Sequence, residues 1–215
     1  AKGACLSPGW LDVGVQVGDP GFEHREDIHS VTKAAAAGGY TGIVCQPNTS
    51  PVTHSKSEVM YLKNRTVDTL VDCYPIGAVS RNTEGQDLTE MNDMYHAGAV
   101  AFSDGRKPIQ DNGLMTRALL YAKSVDGIVL NRPQDNSLAG KGQIHEGYVS
   151  TMLGMKGIPA MAEEMMARRD LYLAEYTDSR LHLSNISCAD VVTMIKEARQ
   201  NGLKVTSSVA AMNLI

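Results

Sequence analysis

The chain has 215 residues, an apolar content of 43% and a formal net charge of -4. A chain of this length and apolar content can bury a sizeable core, and it suits one α/β domain better than two small ones. The lysines and arginines are scattered through an acidic chain, which argues against nucleic-acid binding. No apolar run approaches the roughly 20 residues that cross a bilayer, and the first residues lack a charged region followed by an apolar one. We therefore expect a cytoplasmic protein without membrane contact.

Short apolar runs typical of strands alternate with helical patterns along the whole chain. The predicted strands are 11–17, 42–46, 71–78, 99–103, 127–131, 180–183 and 204–209. The predicted helices are 28–37, 55–66, 89–97, 112–125, 160–177 and 189–200. Several strand runs are almost continuously apolar, as in parallel strands that are buried on both faces.

The alternation of strand and helix predicts a parallel sheet with right-handed crossovers. Seven such units are one fewer than the eight of a (β/α)8 barrel. The predicted fold class is therefore α/β, a TIM (β/α)8-type barrel with about seven of its eight strands. We expect residues 1–215 to form a single incomplete barrel domain whose open edges are covered by another segment or another chain. The stretches 107–113 and 132–156 are rich in Gly, Pro, Asn and Gln, and are predicted as loops on the functional face.

Cysteines and histidines show no ligand pattern. The cysteines lie far apart, at Cys5, Cys45, Cys73 and Cys188, so we expect reduced thiols. None of the six histidines pairs with another at a metal-ligand spacing, so solvated or structural roles are favoured for all of them.

Four segments together resemble a known family: "SPGWLDVGVQVGDPGFEHREDI", "AAAAGGYTGIVCQPNTSPV", "AFSDGRKPI" and "IHEGYVSTMLGMKGIPAMAEEMMARRDLYLAEYTDSRLHLSNIS". They are similar to dihydroorotase of the multifunctional-complex type, in the cyclic amidohydrolase branch of the metal-dependent amidohydrolases. The resemblance extends from about residue 7 to residue 214. It implies an amidohydrolase TIM barrel, and family members also have a small β-rich subdomain before the barrel and an eighth strand after it. We identify neither in this chain.

The resemblance implies pyrimidine biosynthesis, because family members hydrolyse the cyclic amide of dihydroorotate or form it in reverse. They use zinc, which activates a water molecule and polarises the carbonyl. The family's zinc-ligand histidines lie at strand ends, and by this alignment their positions are occupied by Gly14, Gln16, Arg132 and Asn185. An arginine stays protonated and is not an ordinary zinc ligand. The resemblance therefore implies a degenerate site with no zinc and no other cofactor.

Three candidate pocket residues remain. Asn48 matches a substrate-contacting asparagine of the family, and Asp104 matches an acidic loop residue that reaches the metal centre in some members. Arg132 keeps a positive charge in place of the metal, so it is suited to hold a carboxylate or to pair with Asp104. Pairing with Asp104 is the interpretation we favour, and no residue is assigned a catalytic role.

These residues leave three hypotheses. The first is a catalytically degenerate homologue that acts as a structural or regulatory partner of aspartate carbamoyltransferase, as inactive dihydroorotase-like chains do in some organisms, or that self-associates. The second is an active dihydroorotase or related cyclic amidohydrolase with an atypical metal site. The third is a metal-free binder of a carboxylated ring.

Overall fold

The computed structural model describes residues 7–214, and its dominant element is a curled, parallel sheet of seven strands. The strands of the chain are β1 (Trp10–Val15), β2 (Tyr40–Cys45), β3 (Asp72–Gly77), β4 (Ala101–Phe102), β5 (Ile128–Asn131), β6 (Ile144–His145), β7 (Gly157–Ile158), β8 (Arg180–Leu183) and β9 (Val205–Ser207). The helices are α1 (Ile28–Ala37), α2 (Lys56–Arg65), α3 (Met91–Ala97), α4 (Asn112–Ser124), α5 (Asn136–Ala139), α6 (Tyr148–Met152), α7 (Met161–Thr177) and α8 (Ala189–Gln200). The described residues also contain two 3-10 turns, at Arg81–Thr83 and Ala211–Leu214.

The order of strands in the large sheet is β1-β2-β3-β4-β5-β8-β9, and every pairing in it is parallel. Each strand pairs with the next large-sheet strand along the chain, with a helical crossover between them, as in a (β/α) barrel. The predicted TIM-barrel class is therefore confirmed, with all seven predicted strands in this sheet. Their bounds differ from the predicted runs by up to two residues at either end, and β4 keeps only two residues of its predicted five.

The core has two layers, one on each face of the sheet. The outer layer lies between the strands and the helices and contains the fully buried Phe102, Met115 and Leu181. The inner layer lines the concave side with Val44, Ile76, Ala101 and Leu130. Because both faces are buried, the strands are nearly continuous in apolar residues, which is the pattern that made them recognisable in the sequence.

The stretch 132–156 is not the irregular loop that the sequence predicted. It contains α5 and α6, and β6 pairs with β7 in a separate two-stranded sheet. The Asp135 side chain starts α5 by accepting from the backbone N–H groups of Ser137 and Leu138. Strands of two residues and helices of one turn are too short to produce a hydrophobic period, so the sequence pattern could not reveal them.

The large sheet is open between its first and last strands. Within residues 7–214 no strand covers the outer edge of β1 or β9, and the side chains of Trp10 and Leu11 on β1 are exposed. The thiols of Cys45, Cys73 and Cys188 are free, while Cys5 lies outside the described residues. None of the helices in the described part of the chain is long and apolar enough to cross a membrane.

Candidate functional site

The candidate residues of the sequence lie at the carboxyl ends of the strands. Gly14 is near the end of β1, and the others follow within three residues of a strand end: Gln16 after β1, Asn48 after β2, Asp104 after β4, Arg132 after β5 and Asn185 after β8. Because the strands are parallel, these ends lie on one rim of the barrel, which is the functional face of the fold. The structure divides the candidates into two groups on that rim.

The first group is built around Asn48. Its side-chain amide donates to the Asp104 carbonyl at 3.3 Å, and its Oδ1 accepts from the Arg106 backbone N–H at 3.2 Å. A Cβ atom on Gly105, whose φ is +67°, would overlap the Asn48 side chain. Asn48 is therefore held by the backbone that follows β4, and Gly105 makes this close approach possible.

Gln46 belongs to the same group and was not singled out in the sequence. Its Nε2 lies 3.0 Å from the place that a Cβ on Gly14 would occupy, and its Oε1 is buried without a hydrogen-bond partner in residues 7–214. Its position in the sequence could have marked Gln46 as a candidate site residue, because it is a polar residue directly after the buried strand β2. The space beside Gly14 is thus filled by an amide side chain from the neighbouring strand.

Asp104 is anchored to the end of β3. Its two carboxylate oxygens accept from the Ser80 backbone N–H at 2.8 Å and from the Ser80 hydroxyl at 2.5 Å. Burial raises the pKa of the Asp104 carboxyl above its usual range, and the hydrogen bonds from Ser80 oppose that shift. The ion pair that we expected between Asp104 and Arg132 is not formed: the Asp104 carboxylate is buried against Ser80, whereas Arg132 is exposed and makes no salt bridge among the described residues.

Replacing Ser80 by alanine is expected to lower the free energy of unfolding by about 2 kcal/mol, since hydrogen bonds to buried charged groups contribute about 1.5–3 kcal/mol. The change removes the donor to Asp104 and also the acceptor of the Gly85 backbone N–H, which lies 2.8 Å from the Ser80 hydroxyl. Urea denaturation measures the loss. The matched control is Ser57→Ala at an exposed position of α2, where a change within about 0.5 kcal/mol is expected. Equal stabilities of the two variants would contradict the anchoring role of Ser80.

The second group surrounds a small cavity of about 150 Å³. Arg132 and Asn185 line it together with His145 and Glu163. Asn185 has a left-handed backbone with φ +56°, which asparagine adopts more readily than most residues. In the part of the chain that the structure describes, Arg132 is exposed and takes part in no salt bridge. The cavity therefore presents a guanidinium without a carboxylate partner among these residues.

Glu163 closes one side of this cavity and is already occupied. Its carboxylate accepts from the backbone N–H groups of Ser187 and Cys188 at 2.9 and 3.0 Å and from the Ser187 hydroxyl. These groups lie at the start of α8, where unpaired N–H donors favour a negative charge. The Glu163 carboxylate is thus engaged by the backbone and hydroxyl donors directly before α8.

A buried polar network lies directly behind Arg132. The side chain of Asn131 donates to Asp170 Oδ2 at 2.7 Å and accepts from the Ile109 backbone N–H at 3.1 Å. Arg169 Nε lies 2.8 Å from Asp170 Oδ1, an ion-pair contact that lacks hydrogen-bond geometry, and the guanidinium also donates to the Ile109 carbonyl. Burial raises the pKa of Asp170 to about 6, although Arg169 favours its charged form. The network fixes the end of β5, the loop after β4 and the helix α7 to one another.

His182 is the one histidine on a strand of the large sheet, and it links two strands. Its ring nitrogens lie 2.8 Å from the Thr206 hydroxyl and 3.1 Å from the Ser208 hydroxyl, and burial lowers its pKa. Residues 7–214 contain no group of three or more His, Cys, Asp or Glu residues arranged to hold a metal ion.

The curled parallel sheet, with helices between its successive strands and polar residues along its carboxyl rim, defines a TIM-barrel-type fold. L-hydantoinase (dihydropyrimidinase) from Arthrobacter aurescens superposes with a TM-score of 0.79 at 21% identity, over 94% of this chain and 47% of that chain. Dihydroorotase from Saccharomyces cerevisiae, solved with 5-fluoroorotic acid, superposes with a TM-score of 0.69 at 13% identity, over 95% of this chain and 56% of that chain. At these identities the likeness concerns the fold alone.

The sequence comparisons place the chain more narrowly. A family model described as dihydro-orotase-like matches residues 3–191. The dihydroorotase of Pelotomaculum thermopropionicum is 48% identical over 98% of this chain and 49% of that protein, and that of Geobacter sulfurreducens is 43% identical over 98% and 50%. The chain belongs to the dihydroorotase-like family. It spans about half the length of these curated relatives.

Proposed function

We propose that this chain is part of a dihydroorotase-type protein of pyrimidine biosynthesis, located in the cytoplasm, that has lost zinc-dependent hydrolysis. Its role in this proposal is structural or regulatory, as a partner of aspartate carbamoyltransferase. The observation that carries the proposal is the set of side chains at the strand ends of the barrel.

A catalytic zinc site needs about three protein ligands, usually neutral imidazoles or carboxylates. Gly14 has no side chain, Gln16 and Asn185 offer neutral amides, and Arg132 stays protonated. Asp104, the remaining acid of the group, already accepts two hydrogen bonds from Ser80. The residues present do not fit the zinc of the family, and no hydrolytic step is assigned to them.

The surroundings of Gly14 support the same proposal. Its backbone φ is +97°, a value that residues other than glycine rarely adopt, and the Gln46 side chain occupies the neighbouring space. A fold that is retained while its rim is rebuilt is suited to present a surface to another protein, since fold and activity are separable.

The decisive experiment combines zinc analysis, turnover and assembly. After loading with zinc and dialysis, we expect far less than one zinc per chain and no hydrolysis of dihydroorotate, with the Pelotomaculum thermopropionicum relative measured in parallel as control. Size-exclusion chromatography with the aspartate carbamoyltransferase of the same organism is expected to give one joint peak at about 10 µM, a concentration that detects micromolar affinities. Stoichiometric zinc with turnover would favour an active enzyme with an atypical metal site, and two independent peaks would reject the partnership.

A second candidate function rests on the unpaired guanidinium of Arg132. A metal-free binder would use Arg132 and Asn185 to hold the carboxylate of a ring compound, with Asn48 on the opposite part of the rim. The cavity of about 150 Å³ is smaller than the roughly 300 Å³ of typical ligand pockets, so it suits one end of such a ligand.

This candidate predicts a thermal shift with carbamoyl aspartate. At about ten times the dissociation constant the ligand adds about 1.4 kcal/mol, which raises the melting temperature by roughly 3 °C for a chain of this size. Arg132→Ala is expected to abolish the shift, and Arg199→Ala, a change of an exposed arginine on α8, is expected to keep it. A shift that survives Arg132→Ala would exclude the binder.

A further inference from the structure

A serine and a histidine lie within hydrogen-bond distance of each other where β8 and β9 approach the rim. His182 Nε2 is 3.1 Å from the Ser208 hydroxyl, and His182 Nδ1 is 2.8 Å from the Thr206 hydroxyl. A nucleophile, a base within hydrogen-bond reach and a third group that orients the base together mark a centre for nucleophilic catalysis. The two hydroxyls and the imidazole have this arrangement.

The three side chains share the concave side of the sheet. The two leucines of β8 belong to the outer core layer, so His182 between them points inward. Val205 of β9 also belongs to the outer layer, so Thr206 points inward, as does Ser208 two residues further along the chain. Ser208 is half-buried and directly follows β9. Its hydroxyl therefore lies at the carboxyl rim, the functional face of the fold.

The backbone around Ser208 is fixed by the end of β8. The Ser208 N–H donates to the Leu183 carbonyl at 3.1 Å, and the Ile186 N–H donates to the Ser208 carbonyl at 2.9 Å. The Asn185 backbone N–H donates to Ser208 Oγ at 3.3 Å. The hydroxyl is thus held beside the imidazole before any substrate binds, as catalysis by a positioned nucleophile requires.

The hydrogen bonds are consistent with a proton on His182 Nδ1. The Ser208 oxygen already accepts from the Asn185 N–H, so its own proton is available to His182 Nε2. Nδ1 then carries the ring proton and donates to the Thr206 hydroxyl. Burial lowers the pKa of His182, which keeps the imidazole neutral near neutral pH and able to accept a proton.

We propose that Ser208 is a nucleophile and His182 its general base, in an acyl-transfer centre that acts on activated esters. Asn185 lines the cavity that contains Arg132, so the centre lies beside that cavity. The centre goes beyond the proposed function and is independent of it, because neither zinc nor aspartate carbamoyltransferase takes part in its reaction.

The reaction has two steps. In the first, Ser208 Oγ bonds to the carbonyl carbon of an aryl ester while its proton passes to His182 Nε2. The bond to the aryl oxygen then breaks, and the proton of His182 is transferred to that oxygen. In the second, His182 takes a proton from water, the water oxygen bonds to the acyl carbon, and Ser208 leaves and regains a proton. The Asn185 N–H is placed to donate to the carbonyl oxygen that becomes negative in both steps.

The third group of the centre limits the substrate to activated esters. Thr206 is neutral, so it orients the imidazole without the charge stabilisation that the carboxylate of a Ser-His-Asp triad gives to the imidazolium. Aryl esters have a good leaving group and need less of this stabilisation, so p-nitrophenyl acetate is a suitable probe. Its acetyl group is expected to remain on Ser208 after the first step, which gives a burst of p-nitrophenol.

Reaction of the whole chain with p-nitrophenyl acetate tests the proposal. Peptide mass spectrometry is expected to locate one acetyl group on Ser208. The burst rate is expected to fall about 100-fold or more in Ser208→Ala and in His182→Gln, the usual contribution of a general base. The matched control is Ser207→Ala, because Ser207 lies on the outer side of the sheet next to α8. Its burst rate is expected to stay within about twofold of wild type.

Two further substitutions separate chemistry from folding. Ser208→Cys is expected to keep the burst, since a thiol at this position is also activated by His182. Thr206→Val is expected to lower the acylation rate about tenfold with KM unchanged, and Thr206→Ser to restore it, because Thr206 acts by orienting the ring. Circular dichroism melting checks that each variant folds.

The mass spectrum of the wild type is decisive without any variant. Acetylation of another residue in place of Ser208 would overturn the proposal. A burst rate in folded Ser208→Ala or folded His182→Gln that equals the wild-type rate would overturn it as well.

Discussion

Replacing Asp170 by alanine is expected to lower the free energy of unfolding by about 3–5 kcal/mol, the usual cost of removing one partner from a buried ion pair. The side chain of Asp170 is fully buried on the inner face of α7. Its loss leaves the Asn131 amide without the acceptor that it contacts at 2.7 Å, and leaves Arg169 without the carboxylate that lies 2.8 Å from its Nε. Urea denaturation at pH 7 measures the change.

Glu175→Ala is the matched control for this loss. Glu175 lies on the exposed face of the same helix, and its removal is expected to change the free energy of unfolding by no more than about 0.5 kcal/mol. Asp170→Ala also removes the bond that orients Asn131 at the end of β5, next to Arg132. If this variant were as stable as the Glu175→Ala variant, the network would have no role in holding the strand end.

The raised pKa of the Asp170 carboxyl leads us to expect that the free energy of unfolding depends on pH. Because the pKa of Asp170 is about 6 in the folded chain, above its ordinary value of 3.8, folding favours the protonated form of this side chain. The contribution of Asp170 protonation to the free energy of unfolding is fully present below about pH 4 and is lost as the pH rises through 6. Each unit of difference between the folded and unfolded pKa corresponds to about 1.4 kcal/mol, so the total is about 3 kcal/mol.

Asp170→Asn isolates this contribution, since asparagine has nearly the same shape and does not titrate. The difference in unfolding free energy between wild type and Asp170→Asn, measured from pH 4 to 7, is expected to shift by about 3 kcal/mol against the wild type as the pH rises. Other titrating groups, such as Asp104 and His182, are common to both proteins and cancel in the difference. A difference that stays constant with pH would show that Asp170 has an ordinary pKa.

The sequence predicted the barrel because its strands are buried on both faces. Neighbouring residues such as Val129 and Leu130 in β5, or Val44 and Cys45 in β2, must both be apolar to fill the two layers, so strand and helix alternate visibly along the chain. The same reasoning failed between residues 132 and 156. Elements of one turn or two residues there depend on local caps such as Asp135 and not on a hydrophobic period.

The position of the candidate site could also be predicted, but its contacts could not. Parallel strands bring their ends to one rim, so Asn48, Asp104 and Arg132 were placed on the same face from the sequence. Which atoms meet depends on the path of each loop. Asp104 turns toward Ser80 because the backbone after β4 directs it there, and Gln46 fills the space beside Gly14 because of the backbone after β2. The type of a residue in the sequence does not show in which direction its side chain points.

The left-handed backbone of Gly14 also limits which side chains β1 can carry at residue 14. A histidine introduced at residue 14 would have to adopt φ +97° or move the strand, at a cost of about 1–3 kcal/mol, and would meet the Gln46 amide. A single substitution would therefore not place an imidazole at this strand end. The backbone of β1 and the side chain of Gln46 would have to change with it.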